Sequence, residues 1–254
     1  MFPYRDENET QRPAYVTMAI IAACVLVWLV VQGAGAQRPV DESVCNLGLI
    51  PGELTGTAPP GSGFPMGPDT VCKTEAGIHL NHILTSMFLH GSWMHLLGNM
   101  WFLWIFGNNI EDSMTRPRFI VFYLLCGLVA AMAQVFSQPN SVVPMVGASG
   151  AISGVMGAYL VLYPRVKVWC VIPLFLFFTT YALPAWVMLI YWMGLQLLGG
   201  FTQHGQGGVA FFAHVGGFLA GVLLIKLFER RDHVAQRIAT QWRPARVGFG
   251  REQA

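Results

Sequence analysis

The sequence predicts an all-α, polytopic membrane protein: six transmembrane helices in one bundle, with both termini on the cytoplasmic side. Three observations predict it. Only 11% of the 254 residues are charged and 54% are hydrophobic, whereas a soluble globular domain carries roughly 25% charged residues. Six stretches, residues 14–34, 88–109, 117–136, 148–164, 182–200 and 208–228, are largely apolar, and most reach the roughly 20 residues that span a bilayer. With the N-terminus inside, the inside segments hold thirteen of the fifteen basic residues: Arg5, Arg12, Arg116, Arg118, Arg165, Lys167, Lys226, Arg230, Arg231, Arg237, Arg243, Arg246 and Arg251. The outside segments hold only Arg38 and Lys73, as the positive-inside bias requires. An odd number of helices would put the basic C-terminal tail outside.

In chain order, residues 1–13 read as a polar tail, 14–229 as the membrane domain and 230–254 as a basic tail. Ala34-Gly35-Ala36 resembles a signal-peptide cleavage site. The apolar run before it is long for such a signal, however, and the preceding segment carries Asp6, Glu7 and Glu9, so the first helix is expected to be retained. Residues 37–87 form a long outer loop rich in Gly, Pro, Ser and Thr. It holds Cys45 and Cys72, which can pair in an oxidising compartment or remain free; spacing alone leaves both open. Cys24, Cys126 and Cys170 lie in apolar segments and read as small packing residues. The apolar stretch 168–178, interrupted by Pro173, reads as an interfacial or re-entrant segment leading into the fifth helix.

Small residues recur at helical spacing in two helices: Gly150, Gly154 and Gly157 in the fourth, and Ala213, Gly217 and Gly221, with Gly216 beside them, in the sixth. Small residues four apart let helix backbones approach closely, so these two helices are expected to pack together.

Polar side chains inside a bilayer are costly and mark function. The candidates are Ser149 and Ser153 on the fourth helix, His214 on the sixth, and His95 and Asn99 on the second, with Gln134 and Gln196 as further amides. Counted from the cytoplasmic end of each helix at 1.5 Å per residue, Ser149, His214 and His95 all lie about 21–24 Å deep. Asn99 lies one turn nearer the cytoplasmic end than His95, on the same face. A serine at one depth with a histidine on a closely packed neighbour suits a nucleophile–base pair. With no Asp or Glu in the predicted spans to orient the histidine, that pair is a dyad. Free backbone N–H groups where the fourth helix begins, with His95 and Asn99, can supply an oxyanion hole. Against this stand blander readings: a serine as a helix cap, and a histidine bonded to a backbone carbonyl. The agreement of three depths, with Asn99 one turn away on the His95 face, favours an active site. Ser153 and Gln196 are read as structural. The soluble hydrolase elbow Gly-x-Ser-x-Gly is not met, since Ala151 holds the last position and no strand precedes. A zinc site from His79, His82, His90 and His95 lacks a His-Glu-x-x-His run and nearby carboxylates.

At these residues the chain resembles the rhomboid family of intramembrane serine proteases, of the bacterial six-helix type. The resemblance rests on His90-Gly91-Ser92-Trp93-Met94-His95-Leu96-Leu97-Gly98-Asn99, on Gly147-Ala148-Ser149-Gly150, and on Ala213-His214-Val215-Gly216-Gly217 with Gly221, and covers about residues 88–228. It implies Ser149 as nucleophile and His214 as general base, both catalytic. It also implies His95, Asn99 and the Ser149 N–H as oxyanion hole, Gly217 and Gly221 as the contact with Gly150 and Gly154 of the fourth helix, and His90 as a structural histidine. The implied substrates are single-pass transmembrane proteins, cut in or near their membrane segment at small residues, with water as second substrate and no cofactor or metal. A lipid bilayer is the expected surrounding, nucleic acid is not an expected partner, and oligomeric state is left open. The expected location is a bacterial cell membrane, with the site facing the extracytoplasmic side. Two positions depart from the family pattern. Asn81-His82 stand where many rhomboids have Trp-Arg. Ser153 stands where some place an aromatic residue against the catalytic histidine, so something else must hold His214. The substrate is expected to enter beside the fifth helix, near Phe175–Phe178 and the Leu183-Pro184 break. A catalytically dead binding or quality-control protein predicts loss of the serine or histidine, and both are present. A transporter or channel predicts charge at mid-membrane, which is absent.

Overall fold

The computed structural model describes residues 2–67, 70–174, 177–202 and 210–241. In chain order the elements are β1 (Phe2–Asp6), α1 (Tyr15–Val30), α2 (Gln37–Leu47), α3 (Pro51–Leu54), β2 (Gly63–Pro65), β3 (Val71–Lys73), α4 (His82–Thr85) and α5 (Trp93–Phe102). Then follow α6 (Asn108–Asp112), α7 (Arg116–Ser137), α8 (Ser149–Leu162), β4 (Lys167–Leu174), β5 (Phe177–Pro184), α9 (Ala185–Thr202), α10 (Phe211–Phe228) and α11 (Arg231–Gln241). A π-helical turn at Leu103–Gly107 joins α5 to α6, making one helical rod.

Among the described residues, α7, α9 and α10 are long and apolar enough to cross a membrane, and α1 and α8 are shorter apolar helices. The core lies inside the bundle, where Phe106, Phe119, Phe122, Leu103 and Tyr159 are fully buried. The outer faces are also apolar: Phe136 is 80% exposed, and Leu223 and Leu227 on α10 are 74% exposed. Contiguous apolar surface of this kind is unstable against water and suits lipid. α8 is the central helix, buried on nearly every side, as a helix apolar all round should be.

Local chemistry sets the helix ends. Glu111 accepts the Val16 and Thr17 backbone N–H groups at 3.0 and 2.8 Å, satisfying donors that the start of α1 leaves open. The Ser92 hydroxyl caps α5 by accepting the His95 N–H at 3.1 Å. Pro117 opens α7 in its first turn.

Three expectations are corrected. The fold is mostly helical, not all-α. The stretch expected to be an interfacial or re-entrant segment is part of an antiparallel hairpin, β4 with β5, running in register from Lys167↔Pro184 to Leu174↔Phe177. Val168, Trp169, Val171 and Ile172 favour a strand, and Pro173 disfavours a helix there. The N-terminal tail is a strand too: β1 pairs antiparallel with β4, giving the order β1-β4-β5. The first loop is also folded. A Cys45–Cys72 disulfide ties α2 to the β2–β3 hairpin, resolving the pairing that spacing left open, while Cys24, Cys126 and Cys170 are free and buried.

That loop steadies the segment before α8. Leu49 and Met145 exchange backbone hydrogen bonds at 3.0 and 2.8 Å, and the Gly52 N–H donates to Ser141 O at 2.8 Å. At the opposite end of the bundle, Arg12 pairs with Asp112 at 2.8 Å, the Arg230 N–H reaches Ser113 O at 2.8 Å, and β1 meets β4. The segments read from charge as lying on one side therefore gather at one end. Arg243, Arg246 and Arg251 lie outside the described residues, as do Phe175 and Leu176 of the expected substrate gate.

Candidate active site

The site is built where α8 begins. Gly147 has φ +125°, a backbone conformation that favours glycine. A Cβ there would lie 2.7 Å from His95 Nε2, so the missing side chain also leaves room between His95 and Ser149. The chain then turns into α8 with Ser149 in its first turn. Backbone N–H groups of that turn have no intrahelical partner and point toward whatever sits at the helix start.

His214 reaches Ser149 because α8 and α10 touch backbone to backbone. A Cβ on Gly217 would run into the Gly150 carbonyl oxygen, one on Gly221 into that of Gly154, and one on Gly157 into that of Phe218; a Cβ on Gly154 would lie 3.1 Å from Gly217 O. This approach puts His214 Nε2 2.8 Å from Ser149 Oγ. Gln134 of α7 accepts the Ala213 N–H at 3.3 Å, tying the first turn of α10 to the bundle beside His214.

The other imidazole nitrogen is also engaged. His214 Nδ1 lies 2.7 Å from Gln196 Oε1 on α9, and the Trp192 ring, one turn earlier on α9, lies 5.8 Å from the His214 ring. The sequence reading set Gln196 aside as structural. The available signal was an amide in an otherwise apolar helix, but its contact needs the packing of α9 on α10. Trp192 and Gln196 answer what holds His214 in the absence of an aromatic at Ser153. Ser153 itself donates to Ser149 O at 2.6 Å, inside α8.

His95 and Asn99 stand across the site on α5. His95 Nδ1 accepts the Gly91 N–H at 3.3 Å, which leaves Nε2 as the protonated nitrogen of a neutral ring, on the Gly147 side. Asn99 is buried, and its Nδ2 has no partner among the described residues. A buried amide donor without an acceptor is costly and marks a place where an acceptor would be held. His90 is fully buried behind His95, with ring centroids 5.1 Å apart, and its backbone N–H and carbonyl both bond Gln32, at 2.9 and 2.8 Å.

Ser149, His214, His95, Asn99, Trp192 and Gln196 all line one cleft of about 670 Å³ between α5 and α9, floored by Ile152, Met156 and Phe102. The arrangement can pass a proton from a hydroxyl to an imidazole and offer N–H groups to a nascent oxyanion. His79 and His82 form a separate stacked pair, with ring centroids 4.8 Å apart, and no group of three or more His, Cys, Asp or Glu among the described residues could hold a metal ion.

The Rhomboid domain family model matches residues 79–231, more than half of the chain. The chain belongs to the rhomboid family. It is 34% identical over 146 residues to presenilin-associated rhomboid-like protein A, mitochondrial, of Danio rerio, covering 56% of this chain and 36% of that protein. It is 27% identical over 168 residues to rhomboid protein 1, mitochondrial, of Saccharomyces cerevisiae, covering 63% and 46%. It is 30% identical over 146 residues to presenilin-associated rhomboid-like protein, mitochondrial, of Bos taurus, covering 56% and 37%. The matched region spans less than half the length of these rhomboid relatives. They are mitochondrial by name, which corrects the expectation of a bacterial cell membrane; what stands is association with a membrane. That expectation came from the resemblance to the bacterial six-helix type; charge asymmetry and helical pattern do not distinguish one such membrane from another.

Proposed function

We propose that this rhomboid is an intramembrane serine endopeptidase, cutting single-pass transmembrane proteins in or near their membrane segment. The observation that carries the reading is the 2.8 Å contact between Ser149 Oγ and His214 Nε2 at the wall of a cleft that also presents Asn99 and His95. Ser149 Oγ attacks the scissile carbonyl carbon as its proton passes to His214 Nε2. The oxyanion is held by Asn99 Nδ2, His95 Nε2–H and the Ser149 N–H. His214 then protonates the leaving amine, the C–N bond breaks, and an acyl-Ser149 ester remains. Water, deprotonated by His214, hydrolyses the ester and restores the serine.

In this reading the bundle spans the bilayer six times: by α1, by the α5–α6 rod, and by α7, α8, α9 and α10. β1 and the start of α11 lie at the end where Asp112 and Arg230 gather, which is taken as the cytoplasmic end, and the cleft opens near the other. The substrate enters between α5 and α9 and unwinds to expose its carbonyl. If a reversible cross-link between α5 and α9 leaves cleavage of a membrane substrate unchanged, that route is wrong.

The test is cleavage of a tagged single-pass substrate in proteoliposomes by the wild type and by Ser149→Ala. Cleavage by the wild type alone supports the proposal; equal cleavage by both removes Ser149 from the chemistry. If neither cuts, labelling of Ser149 by a fluorophosphonate probe decides: a labelled serine keeps the protease reading, and an inert one favours a catalytically inactive rhomboid-like binding protein.

A further inference from the structure

We propose that Gln196 is a positioning residue: its side-chain carbonyl selects the tautomer of His214 whose Nε2 can accept the Ser149 proton. The inference rests on the protease reading above and adds to the Ser–His dyad a neutral group that orients the histidine. A neutral imidazole carries one proton, on Nδ1 or Nε2. Gln196 Oε1 has only lone pairs to offer, and it lies 2.7 Å from Nδ1. With the proton on Nδ1, that contact is a hydrogen bond donated to Gln196, and Nε2 presents a lone pair to Ser149 Oγ at 2.8 Å. With the proton on Nε2, the Gln196 amide would have to turn over and donate its own N–H to Nδ1, and the imidazole could only donate to the serine. The carbonyl-inward orientation of Gln196 therefore goes with the tautomer that can act as a base.

In soluble serine hydrolases an aspartate does this work. Here no acidic residue is among those lining the cleft, and a lone carboxylate in an apolar bundle is expensive. An amide gives the same directional acceptor without a charge. The ring is held from a second side as well. Trp192 and Gln196 are four residues apart, so they share one face of α9, and the Trp192 ring is tilted by 41° to His214. Because both groups ride on α9, an outward movement of this helix would take the acceptor away from His214. The base would then be aligned only while α9 is closed against α10.

The experiment compares the wild type, Gln196→Met, Gln196→Glu and Ser149→Ala in proteoliposomes. It reads kcat and KM on a tagged single-pass substrate, the rate of Ser149 labelling by a fluorophosphonate, and the ¹⁵N spectrum of the His214 ring. Met keeps the length and apolar bulk of Gln but offers no carbonyl. It is expected to lower kcat and labelling by roughly 10²-fold, the effect of a small misalignment of a catalytic group, with KM unchanged. The His214 spectrum should change from a single Nδ1–H form to a mixture. Glu keeps an acceptor in place and should restore most of the rate. A Met variant with wild-type kcat, or with the wild-type ¹⁵N pattern despite slower turnover, overturns the inference, since a merely structural loss would leave the tautomer as it was. Cleavage by Ser149→Ala at the wild-type rate would instead reject the protease reading, while the ¹⁵N comparison would still report on Gln196.

Discussion

Gly217→Ala tests whether close packing of two helices makes the site. Gly217 lies on α10 three residues after His214, and a Cβ there would run into the carbonyl oxygen of Gly150 on α8, with Ala130 Cβ at 3.3 Å on the other side. A carbon needs roughly 3.3 Å from a carbonyl oxygen, so α10 must withdraw from α8 by about 1 Å or more. His214 moves with its helix. Its 2.8 Å contact with Ser149 stretches toward about 4 Å, beyond hydrogen-bond reach. The expected loss of turnover is roughly 10²-fold, and overpacking costs about 1–3 kcal/mol, offset in part by the better helix propensity of alanine. Fluorophosphonate labelling and substrate cleavage read the first effect, and thermal unfolding in detergent reads the second. Gly194→Ala on α9 is the control: nothing among the described residues lies within 4 Å of the position its Cβ would take, so activity should be unchanged and stability equal or up to about 1 kcal/mol higher. Gly217→Ala with the wild-type labelling rate would refute the reasoning, even if its midpoint falls.

Three further outcomes are expected. Asn99→Ala removes a donor whose Nδ2 meets no partner among the described residues and should lower kcat by roughly 10²–10³-fold, read by single-turnover cleavage with KM as the comparison. Reducing Cys45–Cys72, which are 27 residues apart, should destabilise the first loop by about 3–4 kcal/mol; Cys45→Ser should lower the thermal midpoint to match, and an unchanged midpoint would show that the bond does not constrain the loop. His82, in the same loop, is held below the ordinary histidine value of 6.5 by burial first and by neighbouring His79 second, with Glu53 and Glu75 acting the other way. The unfolded loop then binds the proton more readily than the folded one. Loop stability should be complete above about pH 6.5 and fall as the pH drops below it. Hydrogen exchange between pH 7.5 and 5 checks this, and His82→Asn should flatten the profile.

The membrane class was legible from residue composition alone, because a bilayer admits few charges and demands long apolar runs. The helix contacts were legible because glycines four apart leave a flat face, and the meeting of Ser149, His214, His95 and Asn99 in one cleft because an α-helix rises uniformly. The hairpin β4–β5 was not legible. A short apolar run with a proline fits a strand or an interfacial turn equally well until its pairing partners are placed, and β1 pairs with β4 from more than 160 residues away. The Cys45–Cys72 bond and the pinning of Leu49 to Met145 likewise depend on a loop path that spacing does not encode. Gln196 is the sharpest case. Its residue type and its place in an apolar helix were visible, but an amide becomes an acceptor for His214 only when α9 packs on α10 with that face inward, and relative rotation of two helices is set by side-chain packing across the whole interface. Residue chemistry and helical period determined which polar groups fall at one level of the helix bundle; tertiary packing alone decided which of them touch.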